Sequence, residues 1–189
     1  ANAHALARYG ALCQERGIVP IIEPEVLMDA PDSVHDIDRC FEVTELTLKT
    51  TFNALFDANV ALDGMILKPS MVVPGKQSGT TASVEEVAEK TARCLKNTVP
   101  GSVPGIAFLS GGQSDEDATA HLSAINAMYD LPWKLTFSYG RALQAAALKS
   151  WGGKPGNIGK GQKAFAHRAL MNGLASKGKW SKADEKKAA

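Results

Sequence analysis

The chain of 189 residues has little that points to a disulfide framework, a membrane or a polyanion. Its three cysteines, Cys13, Cys40 and Cys94, are odd in number and widely spaced, so we expect reduced thiols. No apolar run approaches the roughly 18 residues that a membrane-spanning helix needs. The 21 basic and 20 acidic side chains nearly cancel, which gives no electrostatic reason to expect nucleic acid or an anionic membrane as a partner. The composition therefore favours a small molecule as the binding partner.

Nucleotide-binding and metal-binding signatures are also missing. No Gly-x-Gly-x-x-Gly follows the first β-branched run, and no Gly-Lys-Ser/Thr sequence occurs. The four histidines, His4, His35, His121 and His167, lack the spacing of metal ligands, so we interpret them as surface or helix-face residues. These absences weaken the case for a nucleotide-binding sheet and predict no metal site.

The sequence has neither an initiator methionine nor a targeting signal. Residues 1–14 place Ala and Leu at helical spacing without a capping residue before them, so we expect that the sequence begins part-way through a longer chain. No charged segment followed by an apolar run opens it. The reduced thiols favour an intracellular compartment.

Short β-branched runs alternate with amphipathic segments along the chain. Four runs followed by helices indicate an α/β fold with a parallel sheet. A (β/α)8 barrel needs roughly 250 residues, so four βα units predict the C-terminal half of such a TIM barrel, at 1–176, followed by a mobile Lys-rich tail at 177–189. The predicted strands are 17–25, 64–68, 105–110 and 133–138, and the predicted helices are 1–14, 33–56, 83–96, 114–128, 141–150 and 157–176.

One lysine and two glutamates lie at strand ends. Lys68 precedes Pro69, which restricts it to extended geometry and directs it to the carboxyl end of its strand, where barrels place their active sites. Glu23 and Glu25 share one face of the preceding strand. A lysine among apolar residues can attack a carbonyl carbon while a nearby carboxylate moves protons. The alternatives are a lysine that simply reaches solvent and a structural ion pair.

Two glycine-containing turns follow the last two predicted strands. Ser110 and Gly111 lie between a strand and a helix start, where backbone N–H groups can approach an anion. Ser138, Gly140 and Arg141 repeat the arrangement and add a guanidinium suited to phosphate. Barrels often bind phosphate after strands seven and eight. A tight turn without a ligand is the alternative for each.

Several stretches together resemble one family, the class I (Schiff-base) fructose-bisphosphate aldolases. They occur in the family's order and correspond to the C-terminal half of its barrel. The most distinctive are Gly17-Ile-Val-Pro-Ile-Ile-Glu-Pro-Glu25, Leu67-Lys-Pro-Ser-Met-Val72, Phe108-Leu-Ser-Gly-Gly-Gln-Ser114, Leu135-Thr-Phe-Ser-Tyr-Gly-Arg-Ala-Leu-Gln144 and Ala147-Leu-Lys-Ser-Trp-Gly-Gly153.

The resemblance implies a role for each candidate residue. Lys68 matches the lysine that forms the Schiff base, Glu23 the acid/base glutamate and Glu25 its neighbouring carboxylate. Four residues match the site that binds the phosphate on the ketone side of the substrate: Ser110, Gly111, Gly140 and Arg141. Ser138 lies beside that site.

The resemblance also implies a reaction and partners. The reaction is the reversible cleavage of fructose 1,6-bisphosphate to dihydroxyacetone phosphate and glyceraldehyde 3-phosphate in glycolysis and gluconeogenesis, without a cofactor or a metal. Homotetramers and binding to actin filaments are further implications.

The family's first-half aspartate, lysines and distal-phosphate arginine have no counterpart in these residues, and the usual final tyrosine is replaced by Lys186-Lys-Ala-Ala189. Another imine-forming sugar-phosphate aldolase and a non-catalytic binding or assembly half-barrel remain the alternatives.

Overall fold

A computed structural model describes residues 1–187 as an α/β fold. Four parallel strands form an open sheet in the order β1-β2-β3-β4, and helices connect successive strands. The strands are β1 (Ile21–Ile22), β2 (Ile66–Leu67), β3 (Gly105–Phe108) and β4 (Lys134–Phe137). The helices are α1 (Asn2–Glu15), α2 (Ile37–Asp57), α3 (Val84–Thr98), α4 (Asp115–Met128), α5 (Arg141–Trp151), α6 (Ile158–Ala175) and α7 (Lys182–Lys187).

Side-chain caps set the start of three of these helices. Asp36 accepts a hydrogen bond of 2.8 Å from the Arg39 N–H, so α2 begins four residues later than the helix predicted over 33–56. Ser83 caps α3 in the same way. Ser114 caps α4, where it faces three acidic residues in the first turn that complement the helix dipole.

The first two strands are shorter than predicted. Only Ile21–Ile22 and Ile66–Leu67 pair as strands, because Pro20 and Pro24 on one side and Pro69 on the other limit the ladder. Their register places Ile22 opposite Leu67, and both side chains are fully buried. Beyond these short ladders only single backbone hydrogen bonds, such as the one from Lys68 to Ile22, continue to the edge where the candidate residues lie.

The Lys-rich segment at 177–189 contains a short helix in its described part. Glu185 on α7 accepts hydrogen bonds of 2.8 and 3.0 Å from Arg168 on α6, and one of 2.9 Å from the Trp180 indole. These contacts attach the segment to the fold. Residues 188 and 189 lie outside the described residues, and the predicted mobility of the tail stays a prediction.

Within 1–187, no helix combines the length and apolar character needed to cross a membrane.

Candidate active site

The predicted lysine and glutamate lie side by side at the carboxyl ends of β1 and β2. The Lys68 N–H donates a hydrogen bond of 2.7 Å to the Ile22 carbonyl, which fixes the two strand ends in register. The Lys68 Nζ lies 3.0 Å from the Glu23 Oε1, with the lysine side chain 20% exposed and the glutamate 42% exposed. A proton can therefore pass directly between amine and carboxylate, and the amine remains accessible to a ligand.

Glu25 forms a second carboxylate beside this pair. Burial raises the pKa of the Glu25 carboxyl, and the negative charges of Glu23 and Asp29 raise it further, against the opposing charges of Arg141 and Lys68. Neighbouring carboxyl groups whose pKa values are pushed apart can take different roles in proton transfer. The charges that act on Glu25 come from Lys68 near the end of β2 and from Arg141 after β4.

The loop after β3 has a backbone that only glycine accommodates. Gly111 and Gly112 have φ values of +56° and +74°, in the left-handed region. A Cβ on Gly111 would also collide with the end of Met28, and one on Gly112 would lie 2.6 Å from the Asp29 Cβ. Ser110, just before these glycines, is buried. The sequence prediction of a close-approach turn agrees with this geometry.

The loop after β4 adds a positive charge to the same edge. The Ser138 N–H donates a hydrogen bond of 3.0 Å to the Phe108 carbonyl, so this loop lies beside the one after β3. Gly140 precedes the first residue of α5, and nothing lies within 4 Å of where its Cβ would be. Arg141 begins α5, and its side chain is 71% exposed.

Sequence reasoning missed the partner of that arginine. The Arg141 guanidinium donates a hydrogen bond of 2.8 Å to the Asp29 Oδ2 from 112 positions away. This hydrogen bond holds the pKa of the Asp29 carboxyl below its ordinary value. Asp29 lies in the Asp- and Pro-rich loop after β1, where no motif distinguishes it from Asp32. Only the folded chain brings it to the site.

His121 contacts the glycine loop through the side chain of Gln113. Gln113 donates to the Ser110 carbonyl through its backbone N–H at 3.0 Å and its side-chain amide at 3.1 Å. Its amide oxygen lies 2.6 Å from the Nδ1 of His121. We expected His121 on the surface or on a helix face. It lies on α4, as one of these alternatives states, but it is buried and not on the surface. Burial lowers its pKa, which favours the neutral ring as a hydrogen-bonding support.

All eight candidate residues therefore lie along the carboxyl edge of one sheet. Three sit at the ends of β1 and β2, and five sit in the adjoining loops after β3 and β4. Backbone hydrogen bonds connect neighbouring strand ends, including one of 3.1 Å from the Leu109 N–H to the Pro69 carbonyl. Such an edge, with an amine, carboxylates and a glycine-rich loop, has the groups needed to form an imine with a carbonyl compound and to approach an anion.

Known proteins match this chain over nearly its whole length. The family model described as "Fructose-bisphosphate aldolase class-I" matches residues 1–189. A "Probable fructose-bisphosphate aldolase class 1" of Xanthomonas campestris pv. campestris is 59% identical over 181 residues, which are 95% of this chain and 53% of that protein. "Fructose-bisphosphate aldolase 4, cytosolic" of Arabidopsis thaliana is 53% identical over 178 residues, which are 94% of this chain and 44% of that protein.

A solved structure confirms the likeness in three dimensions. Fructose-bisphosphate aldolase from Plasmodium falciparum, in complex with TRAP and a small-molecule inhibitor, superposes with a TM-score of 0.90 at 46% identity. The match covers 95% of this chain and 51% of that one. The chain thus spans about half the length of the relatives it matches. It belongs to the class I fructose-bisphosphate aldolase family.

Proposed function

We propose that the protein containing this chain cleaves fructose 1,6-bisphosphate reversibly to dihydroxyacetone phosphate and glyceraldehyde 3-phosphate. The observation that carries the proposal is the 3.0 Å contact between the Lys68 amine and the Glu23 carboxylate at adjacent strand ends. The glycine loop and Arg141 stand at the next two strand ends, where a phosphate of the same ligand can bind. Family membership supports this chemistry.

In the proposed mechanism the Lys68 nitrogen attacks the ketone carbon of the open-chain sugar. The carbonyl oxygen takes up one proton from the attacking nitrogen and a second from Glu23, and it then leaves as water. The resulting protonated imine accepts the electron pair released when the C3–C4 bond breaks. A base removes the C4 hydroxyl proton, so glyceraldehyde 3-phosphate leaves and an enamine remains. Protonation at carbon and hydrolysis release dihydroxyacetone phosphate and regenerate the amine.

The proposed phosphate site holds the ketone end of the substrate. Ser110, Gly111, Gly140 and Arg141 would surround the phosphate, and Ser138 lies beside it. Backbone N–H groups from the left-handed turn can approach phosphate oxygens closely, and the guanidinium adds charge-assisted hydrogen bonds. Glu25, with its raised pKa, is proposed to assist proton transfer beside Glu23.

The finer structural and cellular assignments are part of the same proposal. We take the open four-stranded sheet to be the C-terminal half of a (β/α)8 barrel, with the other four units supplied by residues outside this chain. The full-length protein is proposed to be a cytoplasmic homotetramer that can bind actin filaments. A plastid is the alternative compartment.

Trapping the imine tests the proposed function directly. The full-length protein is incubated with dihydroxyacetone phosphate and reduced with borohydride, and mass spectrometry should locate the stable adduct on Lys68. Lys68→Met should abolish both adduct and cleavage, whereas Lys134→Met, at an exposed lysine that begins β4, is the matched control for removal of an amine away from the site. An adduct on another lysine, or undiminished cleavage by Lys68→Met, would remove the central claim.

A further inference from the structure

The ion pair between Asp29 and Arg141 crosses the proposed phosphate site. The guanidinium is 71% exposed, whereas the aspartate side chain is only 22% exposed. The arginine therefore reaches from the start of α5 to a carboxylate that the fold already holds in place. In the absence of a ligand, the proposed phosphate-binding guanidinium has an internal partner at 2.8 Å.

The same carboxylate lies against the glycine loop. A Cβ built on Gly112 would stand 3.0 Å from the Asp29 Oδ2, the oxygen that accepts from Arg141, and 3.0 Å from the Cε of Lys76. One carboxylate oxygen thus contacts the guanidinium and approaches the backbone of the turn. The guanidinium and the backbone of this turn are two of the groups that we propose bind the phosphate.

We propose that Asp29 is a positioning residue that occupies the Arg141 guanidinium until the phosphate of the substrate displaces it. This inference rests on the proposed function. A carboxylate and a phosphate accept hydrogen bonds from a guanidinium in the same fork geometry, so the two compete for one donor. Asp29 holds Arg141 over the loop and lowers the apparent affinity for every anion that binds there.

The exchange gives a reason for selectivity. A phosphate monoester carries a charge of about −1.5 to −2 at neutral pH, more than the single charge of a carboxylate. Replacing Asp29 with a phosphate therefore improves the pairing of Arg141, whereas replacing it with another carboxylate gains nothing. The ion pair therefore lowers the affinity for sugar acids more than the affinity for sugar phosphates, so an internal competitor contributes to specificity.

Substitution of Asp29 measures this competition. In the full-length protein, Asp29→Asn should lower the dissociation constant of inorganic phosphate about fivefold to tenfold, the scale of an exposed ion pair plus one nearby charge. Calorimetry gives that constant. The KM for fructose 1,6-bisphosphate should fall while kcat stays within about twofold, since the competitor acts on binding alone. Asp29→Ser is the second variant if Asp29→Asn does not fold.

Asp32→Asn is the matched control, because it removes one negative charge from an exposed position of the same loop. It should change phosphate affinity by less than about twofold. In an Arg141→Ala background, Asp29→Asn should tighten phosphate binding by less than about twofold, since the contested donor is gone and only the repulsion from a nearby charge is removed.

The outcomes separate the inference from the proposed function. If phosphate binds in an Arg141-dependent way and Asp29→Asn does not bind it more tightly, the competition is wrong and the phosphate site stands. An equal gain from Asp32→Asn would mean a general charge effect and would also overturn the competition. If neither the unmodified protein nor Asp29→Asn binds phosphate, the proposed phosphate site fails, and this inference fails with it.

Discussion

Replacing only the carboxylate of Glu23 tests its proposed role in proton transfer. Glu23→Gln keeps the shape of the side chain but removes its ability to take and return a proton across the 3.0 Å gap to Lys68. We expect cleavage to slow by about 10²-fold or more, the usual scale for a lost acid/base group. Steady-state kinetics on the full-length protein measure it, with Glu89→Gln on the exposed face of α3 as the control. Unchanged turnover would reduce Glu23 to a structural ion-pair partner.

Arg141 should matter for binding more than for stability. Arg141→Ala is expected to weaken ketose-phosphate binding by roughly 1.5–3 kcal/mol, toward the lower value because binding already has to break the pair with Asp29. The free energy of unfolding should change by less than about 1 kcal/mol, because the ion pair is exposed on the arginine side. Calorimetric titration and urea denaturation measure the two quantities. Lys149→Ala, on the same helix, is the control, and a large loss of stability with unchanged binding would contradict the assignment.

At the residue scale, the sequence predicts positions defined by a strand end and misses those defined by distant contacts. Lys68 and Glu23 could be placed because each follows an apolar run directly. Asp29 and His121 could not, because their partners Arg141 and Gln113 meet them only after helices and loops have packed. Charged and imidazole groups carry no periodic signal of their own.

Among the elements, α7 offers a clear test because Glu185 joins it to α6. Glu185 and Arg168 have side chains only 9% and 5% exposed, and they form a bidentate pair. Without Glu185 the buried guanidinium keeps Asp115, whose Oδ2 lies 3.3 Å from its Nε, as a second carboxylate partner. Glu185→Gln should therefore lower the free energy of unfolding by about 2 kcal/mol at neutral pH, the scale of hydrogen bonds to a charged group. Glu42→Gln, which loses an exposed pair with Arg39, should cost less than about 1 kcal/mol.

Acidification should reduce that difference. Although burial opposes it, hydrogen bonds from Arg168, His167 and Trp180 lower the pKa of Glu185 below its ordinary 4.5. Its contribution to stability is therefore present above that ordinary value and is lost as the pH falls through the lower pKa of the folded state. Urea denaturation at pH about 7 and about 3 would show it. A difference that grows on acidification would mean that the carboxylate is not the stabilising form.

Helices were easier to predict than strands. The apolar stripe alone predicted α2, and a stripe with a capping serine predicted α3, while Ser114 as a cap with acids in the first turn predicted α4. The main error is the start of α2, which Asp36 caps, because it was predicted at Ser33. The strands β1 and β2 pair over two residues each, because prolines interrupt the ladder that the apolar runs suggested. No periodic signal marks α7, since its position depends on Glu185 meeting Arg168.

For the whole molecule, the alternation of strand and helix was enough to predict a parallel α/β sheet. Consecutive strands usually pair with each other, and the order β1-β2-β3-β4 shows that arrangement here. Closure of the sheet into a barrel could not be predicted in the same way, because it depends on further strands that pair with the outer edges of β1 and β4. Within residues 1–187 neither outer side pairs with another strand, so barrel closure stays a proposal.

The open sheet predicts how the 189 residues behave when expressed alone. Unpaired edges promote association, and so does the groove of about 650 Å³ between α5 and α6, whose lining includes the exposed side chains of Leu148, Trp151 and Phe165. We expect light scattering to show oligomers or aggregates, and assays to show no cleavage of fructose 1,6-bisphosphate. Co-expression with the N-terminal half of the Xanthomonas campestris relative should restore solubility and cleavage, because it supplies strands for both edges. A soluble monomer of this chain that turns over the substrate at the rate of a full-length aldolase would show that the half-barrel proposal is wrong.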